Sequence, residues 1–183
     1  MSISYTGALS LPVSGRDHIR GAAVATVTMV EYGDYECPHC AQAQVVIEEV
    51  LERAGSWLQF AYRHFPLTQL HPHAQQAAEA AEAAGVQGRF WEMHDLLFPS
   101  QHALSHTDLI RYANWLGLDM ARFTRALAIH AYAPRVREDF LSGVRSGVNG
   151  TPTFFIDDVR YDGPRDVVSL LTVLRSVAEK KGS

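Results

Sequence analysis

The spacing of apolar and polar positions divides the chain into three stretches. Residues 26–32 (TVTMVEY) form a short run dense in β-branched and apolar side chains, the pattern of a buried strand. A turn-like segment, Gly33-Asp34-Tyr35-Glu36, follows. Pro38 then suits the first position of a helix, where its missing N–H costs nothing. Ala43, Ile47, Val50, Leu51 and Ala54 fall on one face of that helix, and Gly55 marks its end. Residues 57–65 (WLQFAYRHF) read as a second strand, so this part predicts a βαβ unit with parallel strands. Residues 1–20 show no such period and are expected to form an irregular arm.

The middle of the chain predicts helices. Residues 73–84 are nearly all Ala, Gln and Glu and stop at Gly85. Residues 88–98 (GRFWEMHDLLF) carry a bulky apolar face, with Phe90, Trp91 and Phe98 as expected core, and end at Pro99. Ser105-His106-Thr107-Asp108 resembles a capping box ahead of a helix that stops at Gly117, and Asp119 can cap another. A last helix is expected over 134–142. The strand pattern then returns at 153–156 (TFFI), and Asp157-Asp158 turns it into 159–161. Gly163-Pro164 opens a final helix whose apolar set is Val167, Leu170, Leu171, Leu174, Val177 and Ala178. The order βαβ, helices, ββα predicts an α/β fold. One domain over 1–183 would comprise a sheet module at 17–65 and 150–178, with a helical insertion at 66–147.

Composition narrows the function. The chain has 183 residues, long enough to bury a core without disulfide staples. A net charge of -4 excludes a strongly basic nucleic-acid binder. No run approaches the roughly 18 apolar residues of a membrane helix, so an integral membrane protein is not expected. The first twenty residues make a poor signal peptide: no Lys or Arg precedes Arg16, and the apolar stretch at 9–13 is short and contains Pro12. A cytoplasmic location is the expectation. Structural disulfides are rare there, so a lone CxxC pair points to catalysis or metal binding.

The chain has two cysteines, Cys37 and Cys40, in the sequence CPHC at the expected helix start. Unpaired N–H groups and the helix dipole there stabilise a thiolate on Cys37. His39 can add a hydrogen bond or positive charge. Cys40 lies almost one turn on, within disulfide reach. Cys37, at the exposed end, is the expected nucleophile and Cys40 the resolving thiol. A zinc half-site is the alternative. It would need two further ligands, for which His71 and His73 are the obvious pair. A helix start just after a buried strand has no need of a zinc knuckle, so no metal and no organic cofactor are expected. His64, His71, His73 and His94 are more simply packed or solvent-facing side chains.

VEYGDYECPHC after a strand, a long helical stretch and then GVNGTPTFFID together resemble the DsbA-like branch of the thioredoxin superfamily. RDHIRGAAVATVTMVEYGDYECPHC and RHFPLTQLHPHAQQAAEAAEAAGVQGRFWEMHDLLF are most similar to a bacterial subgroup, which occurs alone and appended to sodium/proton antiporters. The resemblance implies a thioredoxin-like fold with an inserted helical subdomain, and thiol–disulfide exchange with protein substrates. It implies a cis Thr151-Pro152 peptide against the disulfide, with the Thr151 backbone free to pair with an extended substrate strand. It also implies that Glu31, six positions before Cys37, is a buried acid able to shuttle the proton of Cys40. Thioredoxin, glutathione or a membrane oxidase would serve as redox partner. A second reading is a redox-sensing or regulatory domain that partners a membrane transporter and turns over little. Glutathione-dependent transferases on the related fold generally lack the CxxC pair, which counts against that class. Asp34 and Glu36 lie beside the motif, and local negative charge opposes a thiolate, so Cys37 is expected to be less acidic than CPHC alone suggests.

Overall fold

In a computed structural model, which describes residues 7–182, five strands form one sheet in the order β1-β3-β2-β4-β5. These are β1 (His18–Gly21), β2 (Val27–Gly33), β3 (Leu58–His64), β4 (Thr153–Ile156) and β5 (Val159–Tyr161). Strands β2 and β3 run parallel, with Glu31 opposite Tyr62, as a βαβ unit requires. The crossover is α1 (Pro38–Ala54). Its buried stripe is Cys40, Ala43, Gln44, Ile47, Val50 and Ala54, while Leu51 is half-buried at the margin. Gly55 does end it, but in right-handed rather than left-handed geometry.

The helices between β3 and β4 are α2 (Ala74–Gly85), α3 (Phe90–Leu97), α4 (His106–Trp115), α5 (Met120–Ala128) and α6 (Ala133–Arg145). A 3-10 turn, Phe98–Ser100, carries the Pro99 that was expected to end α3. Ser105 and Asp108 form a reciprocal capping box on α4, and Asp119 accepts from the Arg122 N–H at the start of α5. Asp157 and Asp158 both take left-handed backbone geometry between β4 and β5. The final helix, α7 (Val167–Lys181), starts later than Gly163-Pro164 suggests, because the Asp166 carboxylate caps the Ser169 N–H. Among the described residues no helix is long and apolar enough to cross a membrane.

The helical stretch is divided between the two faces of the sheet. Helices α2–α5 join α1 and α7 in one core with Met29, Phe60, Tyr62 and Phe154. Helix α6 lies on the opposite face, where Phe140 stacks on Phe65 at 4.4 Å. A Cβ at Gly143 would come within 2.7 Å of the Phe65 ring, so this close approach requires glycine. Within residues 66–147, α6 thus packs on the opposite face of the sheet from α2–α5.

The N-terminal arm departs most from expectation. Residues 1–6 of it lie outside the described residues. The remainder is structured: β1 pairs antiparallel with β3, Leu9 is buried, and Ala8 bridges to Val159 at the other edge of the sheet. Arg63, fully buried on β3, holds it in place. Its guanidinium donates to Asp17 at 2.7 and 3.2 Å, to the Leu11 and Pro12 carbonyls at 2.8 and 3.2 Å, and to the Tyr32 hydroxyl at 3.0 Å. Those contacts use every N–H of the group. Asp17→Ala leaves that cation buried without its counter-charge, and loss of one partner of such a pair costs about 3–5 kcal/mol. A urea titration is expected to show the lower midpoint; an unchanged midpoint would mean that the arm is not anchored by charge.

Candidate active site

The segment between β2 and α1 places both cysteines at one helix end. Cys37 is the N-cap residue, extended at φ -77° and ψ 120°, and no side chain caps the helix there. The first-turn N–H groups are thus available to a sulfur, and Pro38 at the first position removes only a donor that had no use. Cys37 is 4% exposed and Cys40 wholly buried, so the first cysteine is the more accessible of the two. Both are free thiols.

Their environments drive them apart. A hydrogen bond from the Cys40 thiol is the largest influence lowering Cys37, which settles at about 5 against 9.0 for an ordinary thiol, with partial burial opposing. Thr151 and the backbone N–H groups of Cys40 and His39 lower it further. Cys40 is pushed far the other way, chiefly by burial, then by its bond to Cys37 and by the charges of Glu31 and Cys37. One sulfur is therefore ionised at neutral pH while its neighbour keeps its proton.

Thr151 and Pro152 are brought to the same place from the far end of the chain. The Thr151-Pro152 peptide is cis and Pro152 is buried. The Thr151 carbonyl accepts from the Cys37 thiol at 3.5 Å. Its buried hydroxyl, without a hydrogen-bond partner among the described residues, is a donor suited to the ionised sulfur. Pro38 and His39 are exposed. The His39 backbone N–H is among the groups that lower Cys37.

Glu31 sits in the middle of β2, between Tyr62 of β3 and Phe154 of β4. It is fully buried, and among the described residues neither carboxylate oxygen has a hydrogen-bond partner. Burial pushes it up to about 8; the Arg165 charge opposes this and Cys37 adds to it.

The two acids beside the motif have partners in the loop after β3. Asp34 accepts from the Glu36 N–H, the Leu67 N–H and His71 Nδ1, each at 2.8 Å. Glu36 accepts from the His73 N–H at 2.7 Å and His73 Nδ1 at 2.9 Å. Both carboxylates thus tie the loop after β3 to the cysteine turn.

Sequence reasoning missed the side chains that frame the turn. The Tyr35 hydroxyl pairs with His94 Nδ1 at 3.0 Å, and His94 Nε2 pairs with the Gln44 amide oxygen at 3.1 Å. Gln101 donates to the carbonyls of Tyr35 and Cys37. Only the aromatic run at 90–98 hinted at any of this, as core. A separate group of metal-ligating type, His64, Glu82 and Asp139, is buried behind the site. Its carboxylates are already paired: Glu82 with His18 and His64 at 2.9 Å, and Asp139 with Arg16 at 3.0 Å and with Arg135. His71 and His73, the pair weighed as zinc ligands, are taken up by Asp34 and Glu36.

Comparison with known proteins agrees with this geometry. A family model described as Thioredoxin matches residues 13–175. The chain is 48% identical over 169 residues to the Na(+)/H(+) antiporter NhaA 3 of Salinispora tropica, a match covering 92% of this chain and 26% of that protein. With the NhaA antiporter of Herminiimonas arsenicoxydans it shares 42% identity over 167 residues, or 91% of this chain and 26% of that one. The chain thus spans about a quarter of the length of the curated relatives it matches. A thioredoxin-like oxidoreductase from Silicibacter pomeroyi superposes with a TM-score of 0.79 at 26% identity, covering 91% of this chain and 94% of that one. BdbD from Bacillus subtilis gives 0.80 at 21% identity, covering 94% and 98%, a likeness of fold.

The raised pKa of Glu31 has a measurable consequence. An acid whose folded value lies above its unfolded one binds more protons when folded, so stability falls as pH rises from about 4.5 to about 8. Glu31→Gln removes this slope. At pH 7 the gain is on the order of 3 kcal/mol at about 1.4 kcal/mol per unit, and it vanishes near pH 4.5. Melting temperatures at the two pH values check it; an equal effect at both would show that Glu31 is ionised in the fold.

Proposed function

The chain belongs to the thioredoxin family, and from that membership we propose that it is a thiol–disulfide oxidoreductase exchanging disulfides with protein substrates through Cys37 and Cys40. One observation carries this reading: two adjacent sulfurs, one ionised near neutral pH and one held protonated, beside the Thr151-Pro152 turn. That is the asymmetry a two-step exchange requires, because the thiolate is the attacking species and a protonated neighbour waits to resolve.

In the reducing direction the Cys37 thiolate attacks one sulfur of a substrate disulfide. That S–S bond breaks, a Cys37–substrate disulfide forms, and the second substrate sulfur leaves as a thiolate. The Cys40 proton then passes out through Glu31, which as a neutral acid gives its own proton to the departed substrate thiolate and takes the one from Cys40, and Cys40 attacks Cys37. The Cys37–Cys40 bond closes, the substrate leaves with both sulfurs reduced, and two electrons have passed to it. The oxidising direction is the reverse. Thr151 would offer backbone groups to an extended substrate strand at the sulfur, and Pro152 presents no competing N–H. The sulfurs complete the cycle without metal or organic cofactor. Direction depends on the pair's potential against its redox partner, and about 30 mV is worth tenfold. In a cytoplasmic setting, with a thioredoxin or glutathione partner, the reducing direction would prevail. A membrane oxidase as partner would favour the other.

A second reading, a redox-sensing domain that partners a membrane transporter, is favoured by one observation: the similar stretch in the NhaA antiporters is about a quarter of their length. It predicts transporter binding with little turnover, whereas the first predicts steady insulin-disulfide reduction.

Single-cysteine variants test the exchange. Cys37→Ser is expected to abolish both insulin reduction and dithiol oxidation, and Cys40→Ser to accumulate mixed disulfides visible on non-reducing gels. Full activity in Cys37→Ser would refute the mechanism, and trapping confined to Cys37→Ser would exchange the two roles.

A further inference from the structure

The turn that carries Cys37 is held from outside by the helical layer, and one side chain does so directly at the cysteine. Gln101 follows the 3-10 turn after α3. Its Nε2 donates to the Tyr35 carbonyl and to the Cys37 carbonyl, each at 2.8 Å. A primary amide has two N–H groups, and these two acceptors use both. The Cys37 carbonyl already accepts the Cys40 N–H at 3.0 Å and the Ala41 N–H at 3.2 Å, as an N-cap carbonyl does when it opens a helix. Gln101 adds a donor from a different element. The same turn is held a second time through Tyr35, whose ring packs on Phe98 at 5.0 Å and whose hydroxyl pairs with His94.

We propose that Gln101 is a positioning residue, whose amide clamps the Tyr35 and Cys37 carbonyls and so fixes the first turn of α1 around the Cys37 sulfur. Two physical effects follow. Carbonyl oxygens near a sulfur carry partial negative charge, and a donor seated on them draws off potential that would oppose a thiolate. The clamp also fixes the Tyr35–Glu36 and Cys37–Pro38 peptide planes, and through the first turn the aim of the His39 and Cys40 N–H groups. The helical layer thereby contributes to the reactivity of the thiol. This rests on Cys37 being the attacking sulfur. It concerns what sets that sulfur's ionisation, which can be read without turnover.

Gln101→Met keeps the length and packing of the side chain but removes both donors. Gln101→Glu keeps its shape and replaces the donors with an acceptor. Each is measured in the full chain by the ultraviolet absorbance of the thiolate against pH, by equilibration with glutathione, and by melting temperature. In that equilibrium the disulfide protein and two glutathione thiols give the dithiol protein and glutathione disulfide. For Gln101→Met we expect a higher thiolate midpoint and a fall of about 3- to 10-fold in the constant for glutathione oxidation, the order of hydrogen bonds lost beside an ionised group. Gln101→Glu is expected to move both further the same way. If Gln101→Met does not fold, Gln101→Glu carries the test. Variants that melt lower while both redox readouts stay within twofold of the parent would overturn the proposal, because a merely structural clamp behaves so. A shifted titration without any protein-disulfide turnover would retain the clamp and sink the oxidoreductase reading instead.

Discussion

Two sulfurs less than one helical turn apart cannot both carry charge, and the structure decides which one does. Cys40 is sealed in the core beside Glu31, where an anion would be poorly solvated, so it keeps its proton and gives it in a hydrogen bond to Cys37. Cys37 stands at the open end of α1, where backbone N–H groups face the sulfur. The rest of the molecule maintains that difference. The apolar stripe of α1 seats Cys40 inward, β2 carries Glu31 beneath it, and the strand leading out of the helical layer delivers Thr151 and Pro152.

The polar groups around the site serve mostly as struts. Asp34 and Glu36 spend their charge on the loop after β3, and His94 joins Tyr35 to Gln44 on α1. Behind the sheet, Arg63 gathers the N-terminal arm around Asp17. A buried pair of this kind contributes little net stability against an apolar equivalent, yet loss of one partner is costly. It fixes where the arm lies. Glu31 is the contrasting case: among the described residues no hydrogen bond reaches it, and burial outweighs the Arg165 charge, so the fold keeps it as a neutral acid up to about pH 8.

Local patterns made much of this legible before any coordinates. The β-branched run at 26–32, the stripe on α1 and the capping residues Ser105 and Asp119 act within a few residues of themselves, so sequence spacing carries their consequences. Strand β1 escaped because HIRG is four residues long, charged and paired only at an edge. Its stability comes from β3, not from its own composition. At the site, Cys37, Cys40, Glu31 and the Thr151-Pro152 turn were named from sequence and family resemblance, and they meet in space. The directions of side chains were not legible. His39 is exposed, and Asp34 and Glu36 turn toward a loop whose arrival depends on the tertiary fold. Gln101 lies in a connecting segment with no periodicity, so only long-range geometry reveals it.

The central claim is that Cys37 is ionised under ordinary conditions because of where the fold holds it. The most direct test is the ultraviolet thiolate absorbance of the reduced protein against pH, with Cys37→Ser as the blank. A single transition with its midpoint near 5 that disappears in the blank is the predicted result. A midpoint near 9, the value of an unperturbed thiol, would contradict the account.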